Sequence, residues 1–166
     1  ATTTLIVGAT TDSGDIALSN SGALIVGTVD LLVGVTIEDT AANDSGDDNI
    51  TLVAASPLTV TTAVVNNDGG DITLTATNDG GDDDDLTISA EGAATGGNGA
   101  IDLNAGTDLF IDTSASVSTV GTGAITGDAE RAIEISSNAV TAIQSANGAI
   151  TLNANQGATQ VAGEFN

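Results

Sequence analysis

Apolar and polar residues alternate in short bursts along this chain, and glycine or an acidic residue stands at the head of most bursts. One burst reads Gly14-Asp15-Ile16-Ala17-Leu18. It returns as Asp48-Asn49-Ile50-Thr51-Leu52 and as Gly70-Asp71-Ile72-Thr73-Leu74-Thr75-Ala76. Further copies are Asp85-Leu86-Thr87-Ile88-Ser89-Ala90, Gly99-Ala100-Ile101-Asp102-Leu103-Asn104-Ala105 and Gly148-Ala149-Ile150-Thr151-Leu152-Asn153-Ala154. A period of two over such short runs is a strand with one buried face. The pattern predicts strands at Ile16–Leu18, Ile50–Leu52, Ile72–Ala76, Leu86–Ala90, Ile101–Ala105, Leu109–Ile111, Ile133–Ile135 and Ile150–Ala154. Glycine, Asp and Asn punctuate the runs, and no helix-length stretch survives between them.

The spacing of the runs carries the architecture. Ile101, Leu109, Val117, Ile125 and Ile133 follow at steps of eight, Val140 comes seven later, and Ile150 stands 25 beyond Ile125. Three short strands per turn then give a coil of 24 or 25 residues, with Ile101, Ile125 and Ile150 in one interior column. The first half is less regular: Leu5, Ile16, Leu24 and Leu31 are spaced by 11, eight and seven. Ile50 to Ile72 is 22 residues and Ile72 to Ile101 is 29, which suits corners that carry insertions. Thr40–Asp48 and Gly80–Asp85 are the candidate insertions.

The expected fold is all-β: a parallel β-helix, or β-solenoid, of short strands. It forms one repeat domain over residues 1–166, more regular from about 70 to 154. Each coil buries its apolar side chains against its neighbours. Gly, Asn and Asp suit the corners because they tolerate left-handed backbone. The alternative is an antiparallel β-sandwich or jelly-roll, which also spaces short strands closely.

Composition narrows the chemistry. The chain has 166 residues, 40% of them hydrophobic, so it differs from an acidic disordered tail. It carries 23 acidic side chains against a single basic one, Arg131, for a net charge of -22. One cation cannot displace phosphate counterions, so nucleic acid is excluded as a partner. Apolar runs are far shorter than the roughly 20 residues that span a bilayer, and no membrane insertion is expected. There is no His and no Cys, which removes the imidazole base and the ordinary zinc, haem and iron–sulfur ligands. Ala1 to Thr4 lack a basic n-region, so the chain reads as mature or excised from something longer.

The phrases Gly99-Ala100-Ile101-Asp102-Leu103-Asn104-Ala105-Gly106-Thr107-Asp108-Leu109-Phe110-Ile111 and Gly148-Ala149-Ile150-Thr151-Leu152-Asn153-Ala154 resemble known repeats. These are the β-helical repeats of filamentous-haemagglutinin-like and other autotransported bacterial surface proteins. The resemblance covers roughly residues 70 to 154. It implies a right-handed β-helical shaft, located outside the cell or on the bacterial surface. It also implies a role in adhesion, aggregation or biofilm matrix.

Acidic corners form a second pattern: Asp12-Ser13-Gly14-Asp15, Asp44-Ser45-Gly46-Asp47, Asp68-Gly69-Gly70-Asp71 and Asp79-Gly80-Gly81-Asp82. Oxygen-rich turns suit Ca²⁺, which takes several carboxylate, carbonyl and water ligands. In a single turn, Asp also serves simply by bonding its own backbone. The run Asp82, Asp83, Asp84 and Asp85 is the first candidate for a cation site, because four adjacent carboxylates repel one another. Asp44, Asp47 and Asp48 are the second. Arg131, between Glu130 and Glu134, reads as an exposed surface pair.

Catalysis is not expected. Sugar hydrolases use paired carboxylates, and Asp108 with Asp112, or Glu130 with Glu134, are the pairs this chain offers. The chain has no Trp or Tyr to stack on a sugar ring, and serine-hydrolase chemistry lacks its His. The function expected is a secreted structural protein or a segment of a surface fibre or adhesin. A Ca²⁺-stabilised surface-layer or filament subunit that polymerises is the alternative. The expected partners are further copies or repeats of the same chain and a host or matrix surface.

Overall fold

The computed structural model describes residues 3–39, 47–89, 92–95, 98–136 and 142–155. Among the described residues every regular element is a strand. The first coil is β1 (Leu5–Val7), β2 (Ala9–Thr11) and β3 (Ile16–Asn20). The second is β4 (Leu24–Val26), a small hairpin of β5 (Thr28–Val29) and β6 (Leu32–Val33), then β7 (Val35–Ile37) and β8 (Ile50–Ala54). The third is β9 (Leu58–Val60), β10 (Val64–Asn66) and β11 (Ile72–Ala76). The fourth is β12 (Leu86–Ile88), β13 (Ala93–Thr95) and β14 (Ile101–Ala105). The fifth is β15 (Asp108–Ile111), β16 (Val117–Thr119) and β17 (Ile125–Ala129). The sixth is β18 (Ala132–Ile135), β19 (Ile143–Ser145) and β20 (Ile150–Asn153). Ala90 and Val140 lie outside the described residues.

Like strands stack on like. The first sheet runs β1-β4-β9-β12-β15-β18, the second β2-β7-β10-β13-β16-β19, and the third β3-β8-β11-β14-β17-β20. Pairing within these three sheets is parallel throughout, and consecutive strands of a coil belong to different sheets. That is a parallel β-solenoid. The sandwich and jelly-roll alternative is corrected by it, since those folds pair their strands antiparallel. Only the β5–β6 hairpin is antiparallel among the described pairs.

The interior is a set of columns. Ile16, Ile50, Ile72, Ile101, Ile125 and Ile150 are register partners down the third sheet. The expected column of Ile101, Ile125 and Ile150 is therefore observed. Leu24, Leu58, Leu86 and Leu109 make an equivalent column in the first sheet, each fully buried. Burying one such side chain stabilises the fold by about 1.5–3 kcal/mol. One column is interrupted: Gly127 stands between Leu103 and Leu152. A Cβ there would meet Leu152 Cδ2 at 2.8 Å and Leu109 Cδ2 at 3.0 Å, so those two leucines fill the space.

Coil length varies without disturbing register. Leu5 to Leu24 is 19 residues and Leu24 to Leu58 is 34. From Leu86 onward the steps settle, as in Leu86 to Leu109, Ile101 to Ile125 and Ile125 to Ile150. The sequence placed Leu31 in the interior series, and the structure corrects this. Leu31 is at the tip of the β5–β6 hairpin and 95% exposed. Its two-residue turn uses Asp30 at φ 55°, a left-handed position that Asp tolerates.

Candidate functional site

The acidic residues gather at two corners, and the chain geometry explains most of them. The corner entering the third sheet has a fixed grammar. Two residues before each leading Ile stand Gly14, Asp48, Gly70, Gly99, Gly123 and Gly148. A Cβ on Gly99 would lie 2.1 Å from the Gly70 carbonyl oxygen, and one on Gly148 would lie 2.0 Å from that of Gly123. Successive coils touch here backbone to backbone. Asp48 is accommodated because the coil before it holds Gly14, at φ 90°, whose N–H donates to the Asp48 carboxylate.

One residue before the leading Ile, side chains link coil to coil. The Asn49 N–H donates to Asp15 Oδ1 at 2.7 Å, and the Asp71 N–H to Asn49 Oδ1 at 2.9 Å. The Ala100 N–H donates to Asp71 Oδ1 at 2.7 Å. The Asp48 N–H donates to Asp68 Oδ2 at 2.6 Å. Within the corner, buried Asn66 donates its amide to the Asp48 carbonyl at 2.7 Å, and Thr119 donates its hydroxyl to the Gly123 carbonyl at 2.9 Å. The Asp-x-Gly-Asp motif thus has a structural meaning. In Asp68-Gly69-Gly70-Asp71 the glycine at 70 permits the close approach to the Asp48 carbonyl, and Asp71, like Asp15 in the first copy, caps an N–H of the following coil.

The corner entering the first sheet holds the run of four Asp. Asp82 and Asp83 are exposed. Asp84 is fully buried. It continues the inward alternation of Leu86 and Ile88 by one more step. Its Oδ2 accepts the Asp79 N–H at 3.0 Å, while its Oδ1 is buried with no hydrogen-bond partner. Burial pushes its carboxyl above the ordinary value, and the charges of Asp79 and Asp83 push the same way, against the N–H groups of Asp79 and Gly81. Asp85 is half-buried and accepts the Asp108 N–H at 3.1 Å. Its carboxyl is also raised, first by burial and then by the Asp108 charge, against the Asp108 N–H and Arg131.

Arg131 belongs to this corner. Its Nε donates to Asp108 Oδ1 at 2.9 Å and Oδ2 at 3.1 Å, and its Nη2 donates to Oδ2. Asp108 Oδ1 also accepts the Ala132 N–H at 3.0 Å. The expected pairing of Arg131 with its sequence neighbours is corrected: its partner is Asp108, on the preceding coil. Glu130 instead accepts the Asn78 amide at 2.7 Å, and Glu134 accepts the Ser136 hydroxyl at 2.8 Å.

The two candidate cation groups lie on different corners and are not brought together. Asp47 is exposed, Asp48 is half-buried and already engaged by Gly14, and Asp44 lies outside the described residues. Among the described residues no three carboxylates converge as a metal-holding group. The sequence missed the burial of Asp84 and Asp108. The period-two frame running back from Leu86 was the available signal for Asp84.

Compared with family models, with curated proteins and with solved structures, the chain matches none of them.

Proposed function

We propose that this chain is a structural segment of a bacterial surface fibre or adhesin, secreted and displayed outside the cell. The observation that supports this reading is the stack itself. Six coils repeat in register, and each finds its buried partners on its neighbours. Such a molecule extends by adding coils, which suits a shaft or spacer. The outer face of the third sheet carries Thr51, Thr73, Thr126 and Thr151 along one column, with Asp102 among them. These polar side chains favour hydrated contacts with a matrix or host surface. The role is architectural rather than catalytic. The test is immunogold labelling of intact cells with antibody to this chain, together with protease shaving of the same cells. Surface label removed by protease is the expected result. Label confined to the cell interior would end this reading.

A second reading, a Ca²⁺-stabilised filament subunit, is favoured by one observation: Asp84 Oδ1 is buried without a partner beside Asp79 and Asp83. A bound Ca²⁺ would supply positive charge beside that oxygen, with the exposed Asp82 and Asp83 of the same run as further oxygen donors. A cation bound only by the folded form adds about 2.7 kcal/mol at a hundred times Kd. Thermal midpoints in excess EDTA and in millimolar Ca²⁺, at fixed high NaCl, decide it. A rise of several degrees that is lost in Asp83→Asn is expected, and equal midpoints would remove the calcium reading.

A further inference from the structure

We infer that the β5–β6 hairpin and the apolar sheet face beside it form a docking surface for a second copy of this chain, joined two-fold so that the hairpin of each copy covers Ile6 and Ile25 of the other. This goes beyond the architectural reading above and does not rest on it.

The argument begins with where the exposed apolar side chains stand. Five of the eight large ones among the described residues gather at the corner between the first and second sheets: Ile6, Val29, Leu31, Leu32 and Val33. Leu31 is 95% exposed, Val33 60% and Ile6 53%. Single apolar residues are ordinary on a surface, whereas a contiguous set marks a contact. Geometry makes this set contiguous. The hairpin backbone rests on Gly8, where a Cβ would meet the Leu32 carbonyl oxygen at 2.8 Å and the Val29 nitrogen at 3.3 Å. The hairpin base abuts the sheet face, since a Cβ on Gly27 would meet Ile6 Cγ2 at 3.2 Å and Ile25 Cγ2 at 3.9 Å. Ile25 alternates with the inward Leu24 and Val26, and Ile6 is its register partner, so both face sideways from the stack.

Charge selects this corner for contact between copies. Each copy carries -22, and most of that charge sits on the other two corners. In the first three coils, the corner entering the third sheet carries Asp12, Asp15, Glu38, Asp48, Asp68 and Asp71, and the corner leaving it carries the run around Asp84. The corner that bears the hairpin carries Asp30 alone among the described residues of those coils. The outward residues flanking it are uncharged: Ile6, Ile25 and Thr59 on the first sheet, Thr10, Thr36 and Val65 on the second. Two copies that meet here keep their acidic corners apart. An anionic partner is repelled by the whole molecule, and a cationic one is drawn to the acidic corners instead.

The surface is also self-complementary. It has a ridge, tipped by Leu31 and Val33, next to a flat apolar face. A two-fold axis lays each ridge on the opposite face, which satisfies both at once and closes the assembly at two chains. Salt screens the remaining repulsion, so the dimer strengthens as NaCl rises.

Sedimentation equilibrium at low and high NaCl, over a range of protein concentrations, tests this on the parent and on Leu31→Asp, Val33→Asp and Ile6→Asp, each checked by circular dichroism. Leu31→Asp carries the test even where Ile6→Asp disturbs the first coil, because the Leu31 side chain touches little of its own molecule. The parent is expected to form a dimer and nothing larger, more strongly at high NaCl. Each variant that keeps the parent's circular dichroism is expected to weaken it about tenfold or more. A parent that stays monomeric at every salt concentration would overturn the proposal. So would a dimer that survives Leu31→Asp, or a series of oligomers without a closed end state. Phosphatidylcholine vesicles are offered in parallel: a monomeric parent that binds them, and loses them in Leu31→Asp, would give the ridge to a lipid surface and overturn the proposal too. None of these results bears on surface labelling, so the architectural reading stands or falls separately.

Discussion

Replacing Gly123 by Ala tests one of the closest backbone contacts in the fold. The added Cβ would stand 1.8 Å from the Gly99 carbonyl oxygen and 2.5 Å from its carbon. Real Cβ contacts stay at or above 3.0 Å, so the two corners must separate by more than 1 Å. The obstacle is backbone, which cannot rotate away as a side-chain tip can. Overpacking of this kind costs about 1–3 kcal/mol. The adjacent bond from the Ile101 N–H to the Ala124 carbonyl, at 2.9 Å, stretches with it. A net hydrogen bond contributes about 0.5–1.5 kcal/mol. Together the loss is about 2–4 kcal/mol, against a total of about 5–15 kcal/mol for an ordinary domain. At this chain length that is a fall in midpoint of roughly 4–16 °C. The control is Gly80→Ala, where a Cβ meets nothing within 4 Å but φ is +95°. Its cost is conformational alone, about 1–2 kcal/mol. Both are read by urea unfolding followed by far-ultraviolet circular dichroism, since the chain has no Trp or Tyr to fluoresce. If Gly123→Ala unfolds at the parent's midpoint, or loses less than Gly80→Ala, the backbone-contact argument is refuted.

Four further outcomes follow from the same geometry. Burial raises the carboxyls of Asp84 and Asp85 above 3.8, so between that value and the raised one the folded chain holds more protons than the unfolded chain. Stability then falls as pH rises through that window. In metal-free buffer at fixed salt the midpoint should be higher just above the ordinary carboxylate value than at neutral pH, and Asp84→Asn should shrink the difference; the opposite slope would contradict it. Leu31→Ser, at the exposed hairpin tip, should change stability by no more than about 0.5 kcal/mol. Leu103→Ala, fully buried in its column, should cost about 2–5 kcal/mol in the same urea assay. Arg131→Ala strips buried Asp108 of its ion pair and should cost about 1–3 kcal/mol, whereas Arg131→Ala with Asp108→Asn should recover part of that loss in a double-mutant cycle.

The strands of the third sheet were legible because they are long enough to show a period. Each of the first five puts an Ile at the head and four residues after it, and alternation over five positions is unambiguous. Most strands of the other two sheets are only three residues long. Three residues carry one alternation, which any loop can mimic, so β1, β2 and β10 left no separable signal. The β5–β6 hairpin misled for a related reason. Its Leu31 and Leu32 look like core, yet they belong to an excursion that leaves the stack. The corner motif was visible, but its cause was not. Asp15, Asn49 and Asp71 cap one another's coils, and that relation exists only once residues 22 and 34 apart lie side by side.

The tolerance of the corners has a consequence for how this molecule measures distance. A 19-residue coil and a 34-residue coil each add one rung. Each rung advances the axis by about 4.8 Å, so the five steps from first coil to last span about 24 Å. Residues inserted at a corner widen the girth and leave the height unchanged. The molecule is therefore a ruler graduated in coils, not in residues. Mutation can add or delete corner segments freely without moving whatever is carried at its tip, and only the gain or loss of a whole coil shifts that point.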